Sequence, residues 1–277
     1  MKIINLVENT EGTSGCACSH GLSFYVETAG GHKILMDAGP SGPLLLENAE
    51  KLGVDLKAVD TAFLSHGHYD HSDGLAAFRS VNPDAVIYAQ RGADDAYCSL
   101  VEDMHYIGIS DAVKEIRDIT WLDGDCEIDG ELSVFAGIGY TQPAPAGNRE
   151  LGRKTEDGYV QDDFSHEMCL VIREGGLCVL MSGCAHHGIL NIMDHFRGLY
   201  GRDPDAVISG FHMKKSGGYT DEDIFLMLDI AEALKKYGNT QYYTCHCTGT
   251  GPYRVMKEVM KDRLRYVHCG DTVLITD

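Results

Sequence analysis

The sequence predicts a single α/β domain built from many short strands. Short apolar and β-branched runs alternate with segments of helical periodicity along the whole chain. The 277 residues, of which 44% are hydrophobic, are enough for one large domain with a buried core. We therefore expect residues 1–277 to form one ordered domain rather than a disordered chain.

Eleven segments have the length and composition of strands, with turn residues on either side. Two of them, "KILMDAG" (33–39) and "CVLMSGC" (178–184), share an apolar run that ends in small residues, which suggests two similar halves. The predicted strands are 2–7, 22–28, 33–37, 61–65, 85–89, 131–137, 168–174, 177–182, 206–209, 240–244 and 272–276.

Five segments have helical patterns: 42–53, 72–80, 188–200, 220–238 and 251–262. The fourth begins with Thr220 followed by acidic residues and ends in "KKYG", as helix termini prefer. Residues 138–165 lack apolar periodicity and contain Pro and Gly, so we expect a long surface loop that is mobile or gates the substrate.

The charge of the chain argues against a nucleic-acid partner. The 42 acidic residues outnumber the 23 basic residues, which gives a net charge of −19 that repels a phosphate backbone. A small-molecule substrate is therefore expected, with no nucleic acid and no membrane as partners. The sequence does not indicate an oligomeric state.

Two further features predict a cytoplasmic location. No run reaches the ~18 apolar residues of a membrane helix, and the N-terminal segment lacks the apolar core of an export signal. The ten cysteines are then expected to be free thiols or metal ligands rather than disulfides.

The stretch "SHGHYDHSDG" (65–74) concentrates metal ligands directly after a predicted strand. His66 and His68 are two residues apart and project to the same side of an extended segment, and Asp70 and His71 follow where the chain turns toward a helix. Imidazole and carboxylate are ligands of Zn, Fe and Mn. Four neighbouring ligands exceed what one open catalytic metal needs, so we expect two metal ions.

The motif resembles the signature of the metallo-β-lactamase superfamily, and the resemblance covers most of the chain. The segments "GCAHHGILNI" (183–192), "ISGFHM" (208–213) and "CHCTG" (245–249) look like its 7,8-dihydropterin-6-methyl-4-(β-D-ribofuranosyl)-aminobenzene-5′-phosphate synthase-like subfamily. The resemblance implies a four-layer αββα sandwich. It also implies that His66 and His68 bind a first metal, and that Asp70 and His71 bind a second.

The same resemblance implies the remaining ligands. His186 matches the third ligand of the first metal, although His166 also precedes a predicted strand and competes with it. His246 matches the last ligand of the second metal. Cys184 stands where other members of the superfamily place a bridging aspartate, and it is either a metal ligand or a small buried turn residue.

The resemblance also implies roles beside the metals. His212 matches a subfamily histidine that could bind phosphate or donate a proton, and it could equally be structural. Asp70 could accept a hydrogen bond from the nucleophile, so Asp70 and His212 are the catalytic candidates. Asp37 is expected to orient the ligand loop rather than bind metal.

The expected activity is that of a binuclear metal-dependent hydrolase acting on a small phosphorylated or ester substrate. One alternative is a transferase that joins a pterin diphosphate to ribofuranosylaminobenzene phosphate. Another is a di-iron redox protein. The expected cofactors are two divalent metal ions, with Zn preferred and Fe, Mn or Mg as alternatives.

Overall fold

The computed structural model describes residues 1–101, 104–215 and 217–276. Its strands are β1 (Lys2–Val7), β2 (Ser23–Glu27), β3 (Lys33–Met36), β4 (Thr61–Leu64), β5 (Val86–Gln90), β6 (Tyr97–Ser99), β7 (His105–Tyr106), β8 (Ile119–Leu122), β9 (Cys126–Glu127), β10 (Leu132–Phe135), β11 (Leu151–Thr155), β12 (Gly158–Gln161), β13 (Cys169–Glu174), β14 (Leu177–Met181), β15 (Ala206–Ser209), β16 (Gln241–Thr244), β17 (Leu264–Tyr266) and β18 (Thr272–Leu274).

Seven α-helices connect these strands. They are α1 (Gly42–Lys51), α2 (Tyr69–Ser72), α3 (Leu75–Val81), α4 (Asp111–Lys114), α5 (Ile189–Tyr200), α6 (Asp221–Leu234) and α7 (Thr250–Met260) in the part of the chain that the structure describes. Helix α6 begins with a capping box, in which Thr220 and Asp223 bond each other's backbone N–H groups. No helix within these described ranges is long and apolar enough to cross a membrane.

The two large sheets have the same pairing pattern. The first has the order β18-β1-β2-β3-β4-β5-β8, with three antiparallel pairs followed by three parallel pairs. The second, β9-β10-β13-β14-β15-β16-β17, also has three antiparallel pairs followed by three parallel pairs. Strands β3 and β14, whose sequences resemble each other, occupy the same position in this pattern.

Alternation of side chains along the strands divides the core into three layers. One face of each sheet packs against the other sheet, as with Phe24 and Leu170. The outer face of the first sheet packs on α1 and α3, and that of the second sheet packs on α5, α6 and α7. The predicted αββα sandwich is therefore confirmed.

The prediction of a long loop at 138–165 was wrong for much of that segment. Strands β11 and β12 form a hairpin that pairs with β6 and β7 in a separate four-stranded sheet. The hairpin lies at the surface, so its strands carry few apolar residues and show no burial pattern. The turn is formed by Glu156 and Asp157, and Gly158, the first residue of β12, has a φ of 130° that suits glycine. A gating role for the segment stays a prediction.

Candidate metal centre

Loops that follow strands of both sheets meet at one place. In the first sheet these are the loops after β3 and β4, and in the second sheet those after β14, β15 and β16. All the predicted metal ligands lie there and are buried: His66, His68, Asp70, His71, Cys184, His186 and His246. The fold therefore assembles one polar cluster from two distant parts of the chain.

The first donor set consists of His66, His68 and His186. The ring centroids lie 4.6 Å apart for His66 and His68, 4.8 Å for His66 and His186, and 5.0 Å for His68 and His186. The Nε2 atom of each ring is buried and has no hydrogen-bond partner among the described residues, and that of His68 lies 3.8 Å from Asp162 Oδ2. A buried polar atom without a partner costs about 1–3 kcal/mol, so three at one place indicate a site for a bound group.

The second donor set consists of Asp70, His71 and His246. The His246 Nε2 atom lies 3.2 Å from Asp70 Oδ2 and 3.2 Å from His71 Nε2. The Cys184 Sγ atom lies 3.2 Å from His71 Nε2 and also groups with donor atoms of His66 and His186. Cys184 therefore lies between the two donor sets.

Asp37, in the loop after β3, orients one histidine of each set. Its Oδ2 atom accepts hydrogen bonds from Ser65 Oγ at 2.7 Å and from His71 Nδ1 at 2.7 Å. Ser65 Oγ in turn lies 2.9 Å from His66 Nδ1 and can accept its proton. Because both Nδ1 atoms face hydrogen-bond acceptors, the Nε2 atoms of His66 and His71 point into the cluster.

His186 is oriented by Asn148 and Glu167. The Nδ1 atom of His186 lies 3.1 Å from Asn148 Oδ1, and Asn148 Nδ2 donates to the carbonyl of His186 at 2.6 Å. The buried Glu167 carboxylate accepts the N–H groups of His186 at 2.6 Å and His187 at 2.9 Å. Sequence analysis missed both residues, although a charged residue at the entry to a buried strand is a usable signal for Glu167.

His246 is oriented by two residues from the N-terminal segment. Asn9 Oδ1 lies 2.8 Å from His246 Nδ1, and Glu8 Oε1 accepts the backbone N–H of His246 at 2.5 Å. Glu8 is buried, and its Oε1 atom also accepts a hydrogen bond from Tyr266 at 2.8 Å. The polar pair "EN" directly after an apolar strand was the signal in the sequence.

Burial and neighbouring charges set the protonation of the cluster. Burial lowers the pKa of His66, His68 and His186, and surrounding imidazoles lower the pKa of His66 and His186 further. Against burial, Asp37 and Asp70 raise the pKa of His71 to about 9. The first set is therefore neutral imidazole at pH 7, which is the form that binds metal ions.

The donor chemistry fits metal ions. His71 Nε2 and His246 Nε2 lie 3.2 Å apart, a contact that needs either a proton on His71 or a cation between the two atoms. That spacing is close to the ~3.3 Å expected between two nitrogens bound at ~2.0–2.1 Å to one tetrahedral zinc ion. Imidazole, carboxylate and thiolate together favour a transition metal over Mg.

His166 has a different arrangement from His186. Its Nδ1 atom accepts the backbone N–H of Gly67 at 2.9 Å, and its Nε2 atom lies 3.3 Å from Asp162 Oδ2. The ring also stacks on Tyr97 with centroids 4.1 Å apart. Both nitrogens thus have partners, and the residue supports the ligand loop at Gly67.

His212 lies beside the first donor set, in the loop after β15. Its ring centroid is 4.2 Å from that of His186, and its Nδ1 atom is buried without a hydrogen-bond partner among the described residues. Cys247 accepts the backbone N–H of His212 at 3.3 Å and donates to the carbonyl of Cys184 at 3.4 Å.

The backbone around the cluster is strained. Asp37, Ala185, His212 and His246 have φ values of 59°, 55°, 48° and 50°, in the left-handed region that disfavours residues other than glycine. Each such residue costs about 1–3 kcal/mol, which surrounding contacts must offset. All four follow a strand at this site, so the strain lies where the donors are positioned.

A family model described as the metallo-β-lactamase superfamily matches residues 17–133. The chain is 28% identical to the 7,8-dihydropterin-6-methyl-4-(β-D-ribofuranosyl)-aminobenzene-5′-phosphate synthase of Methanocaldococcus jannaschii, over 99% of this chain and 96% of the relative. It is 29% identical to an uncharacterized protein of the same organism, over 88% of this chain and 89% of that protein.

Solved structures agree with these matches. A crystal structure of Tm1679, a metal-dependent hydrolase of the β-lactamase superfamily, aligns with a TM-score of 0.83 and 26% identity over 100% of both chains. Zn²⁺-bound PqqB from Methylobacterium extorquens aligns with a TM-score of 0.57 and 14% identity over 99% of this chain and 100% of that chain. The second likeness supports the fold alone.

Proposed function

We propose that the chain is a metal-dependent hydrolase of a small phosphorylated or ester substrate, because it is similar to the metallo-β-lactamase superfamily in sequence and fold. The observation that carries this proposal is the pair of buried donor sets that meet at Cys184. Metal ions at such a site supply Lewis acidity, which lowers the pKa of water and stabilises negative charge on the attacked group.

The proposed ligands follow from the direction of the nitrogen lone pairs. His66, His68 and His186 would hold a first ion, and Asp70, His71 and His246 a second, with the Cys184 thiolate within reach of both. Burial raises the pKa of the Cys184 thiol well above its usual value, so metal binding must displace its proton. We favour His186 over His166 because both ring nitrogens of His166 have other partners.

The residues of the chain have separate roles around the reacting group. Asp37, Asn148 and Asn9 fix the orientation of the donor rings. Asp70 presents its Oδ2 atom to the cluster, where it could accept a hydrogen bond from the attacking water. His212 has an unpartnered Nδ1 atom beside His186, which could donate a proton to a phosphate oxygen or a leaving group.

A second candidate is a transferase, and the similarity to the Methanocaldococcus jannaschii synthase over nearly the full length favours it. In that reaction the acceptor would be an organic nucleophile instead of water, and diphosphate would leave. The same donor sets and His212 would serve both reactions, since both develop negative charge on a phosphate ester or its leaving group. The di-iron redox alternative stays a prediction.

One experiment tests the site and separates the two candidates. The protein is purified anaerobically, its metal content is measured by elemental analysis, and it is assayed on phosphodiesters, lactones and a pterin diphosphate with and without an aminobenzene acceptor. We expect two ions per chain and water-dependent cleavage. Turnover that requires the acceptor would favour the transferase instead.

The matched variants are His68→Ala and His32→Ala. His68 contributes an unpartnered Nε2 atom to the cluster, whereas His32 pairs with Asp60 and Asp129 at the surface. His68→Ala should lose metal and activity, and His32→Ala should keep both. Full metal content and full rate in His68→Ala would refute the site.

A further inference from the structure

A cavity of about 310 Å³ lies directly beside the candidate metal centre. His212 lies on its wall and also contacts the ring of His186, so His212 connects the cavity with the first donor set. The volume is at the lower end of the ~300–1,000 Å³ typical of small-molecule sites. The cavity is therefore placed to hold part of a molecule whose reactive group lies at the metal centre.

The walls of the cavity are mostly apolar. Helices α5 and α6 contribute one side, and the segment 142–147 covers the other. The apolar side chains that face it are Pro143, Pro145, Ile189, Met213, Leu226 and Ile230. A wall that is mostly apolar favours an aromatic or branched aliphatic group over a sugar or a peptide backbone, although Gln142, Tyr219 and Asp229 also line the cavity.

The covering segment is tied to α5 at one end and to the first donor set at the other. Asn191 on α5 accepts the N–H groups of Thr141 at 2.8 Å and Gln142 at 2.7 Å. At the other end of the segment, Asn148 bonds the ring and the carbonyl of His186. The cavity wall and the first donor set are thus held in a fixed relation.

The end of the cavity nearest the metal centre is cationic. The backbone N–H of Lys214 donates to the Cys247 carbonyl at 2.8 Å, which places Lys214 beside the His246 loop. Lys215 forms an ion pair with Asp223, but no carboxylate of the described residues pairs with Lys214. In a chain with a net charge of −19, an unpaired lysine beside a metal site is suited to an anionic group.

We propose that this cavity is the apolar subsite for the substrate. It holds an aromatic or branched aliphatic group no larger than a bicyclic ring system. A phosphate-like anionic end of the same molecule lies at His212, Lys214 and the donor sets. This inference rests on the proposed function and defines its substrate class. Small polar phosphates without an apolar group would then bind only through their anionic end.

Binding of phosphonates to the metal-loaded protein tests the subsite without catalysis. Methylphosphonate, phenylphosphonate and 1-naphthylphosphonate carry the same anionic group with increasing apolar area, and calorimetry measures their affinities. We expect 1-naphthylphosphonate to bind at least tenfold more tightly than methylphosphonate. Equal affinities for the three compounds would overturn the proposal.

Two neighbouring residues of α6 provide matched variants. Leu226 and Phe225 are both exposed, by 49% and 65%, but only Leu226 lines the cavity. Leu226→Glu should reduce the preference for 1-naphthylphosphonate to less than threefold, and Phe225→Glu should leave it unchanged. The ratio of affinities cancels any general effect of added charge on the phosphonate, so an unchanged ratio in Leu226→Glu would also overturn the proposal.

Lys214→Gln separates the anionic end from the apolar end. This substitution should lower the affinities for methylphosphonate and 1-naphthylphosphonate by the same factor, so the ratio of the two affinities should not change. Failure of the proposed function shows as absent turnover by the metal-loaded protein, with the ratio still at ten or more. Failure of the subsite shows as a ratio near one in a protein that binds metal and turns over substrate.

Discussion

The two seven-stranded sheets share one pairing pattern but contribute to the donor cluster in different ways. The first sheet supplies its four donors from a single loop after β4, at positions 66, 68, 70 and 71. The second sheet supplies Cys184, His186 and His246 from loops after two different strands. The donors of the first half, from the first sheet, thus form one continuous sequence motif. Those of the second half, from the second sheet, come together only when β14, β15 and β16 pair.

The hydrogen bonds that orient the donors differ in the same way. In the first half, Asp37 alone holds Ser65 and His71, and through Ser65 it holds His66. In the second half, each histidine has its own partner, Asn148 for His186 and Asn9 for His246. Substitution of an orienting residue in the first half should therefore lower the metal affinity of both donor sets. Substitution of one in the second half should lower the affinity of only one set.

The largest effect is expected for Asp37→Ala. Loss of this carboxylate frees the rings of both His66 and His71, and loss of such outer hydrogen bonds typically costs 10–100-fold in metal affinity. We expect both ions to bind about 100-fold more weakly, as measured by competition with a chelator. The counterpart Asn148→Ala should weaken only one ion, by about tenfold. Equal effects of the two variants would contradict the comparison.

The next effect is expected for Gly183→Ala, at the contact between the halves. A Cβ atom at position 183 would lie 2.2 Å from Ser65 Oγ and 3.2 Å from His66 Nδ1. We expect a loss of about 1–3 kcal/mol in the free energy of unfolding, from crowding of the packed cluster. Gly176→Ala is the control, because nothing lies within 4 Å of a Cβ atom there. Urea denaturation of both variants measures the difference.

A smaller effect on binding, with a distinct spectroscopic signature, is expected for Cys184→Ser. If the thiolate touches the metal ions, the cobalt-substituted protein should have a sulfur-to-metal charge-transfer band in the near ultraviolet. Cys184→Ser should remove the band and weaken the second ion. A cobalt protein without this band, or one that keeps it in Cys184→Ser, would make Cys184 a packed turn residue only.

The smallest effect concerns His32, a histidine outside the cluster. Burial lowers the pKa of His32, but Asp60, Asp129 and Glu131 raise it, and the net pKa lies above 6.5. The pKa of His66, in contrast, is lowered. Its stabilising contribution is fully present below pH 6.5 and is lost as pH rises through the folded-state pKa. As a surface pair it should contribute less than about 1 kcal/mol. The difference in Tm between the protein and His32→Gln should shrink from pH 6 to pH 8.5, and a growing difference would contradict this sign.

Much of the fold was predictable because its strands are buried on at least one face. The apolar runs of β1, β3, β4 and β14 reflect packing between the sheets, and the sequence resemblance supplied the four layers. The strands β11 and β12 were missed because they lie at the surface, where packing does not dictate apolar residues.

The donors of the site were predictable to the extent that they fall in local motifs. The partners that orient them were not, because a hydrogen bond such as that from His246 to Glu8 joins residues 238 positions apart. Asn148 likewise lies in a segment without periodicity, and only the folded chain places it against His186. Single-sequence patterns carry no information on such long-range contacts.

The link between Glu8 and His246 also bears on the order in which the protein matures on the ribosome. Strand β1 pairs with β18 near the other end of the chain, and Glu8 follows β1 directly. The loop with positions 66–71 emerges early, but its second donor set stays incomplete until the His246 loop has been synthesised and has docked on the N-terminal segment. A nascent chain can thus expose the donors at positions 66–71 before the His246 loop that completes their second set has been synthesised. Full metal retention would therefore require the docked His246 loop and not the first sheet alone.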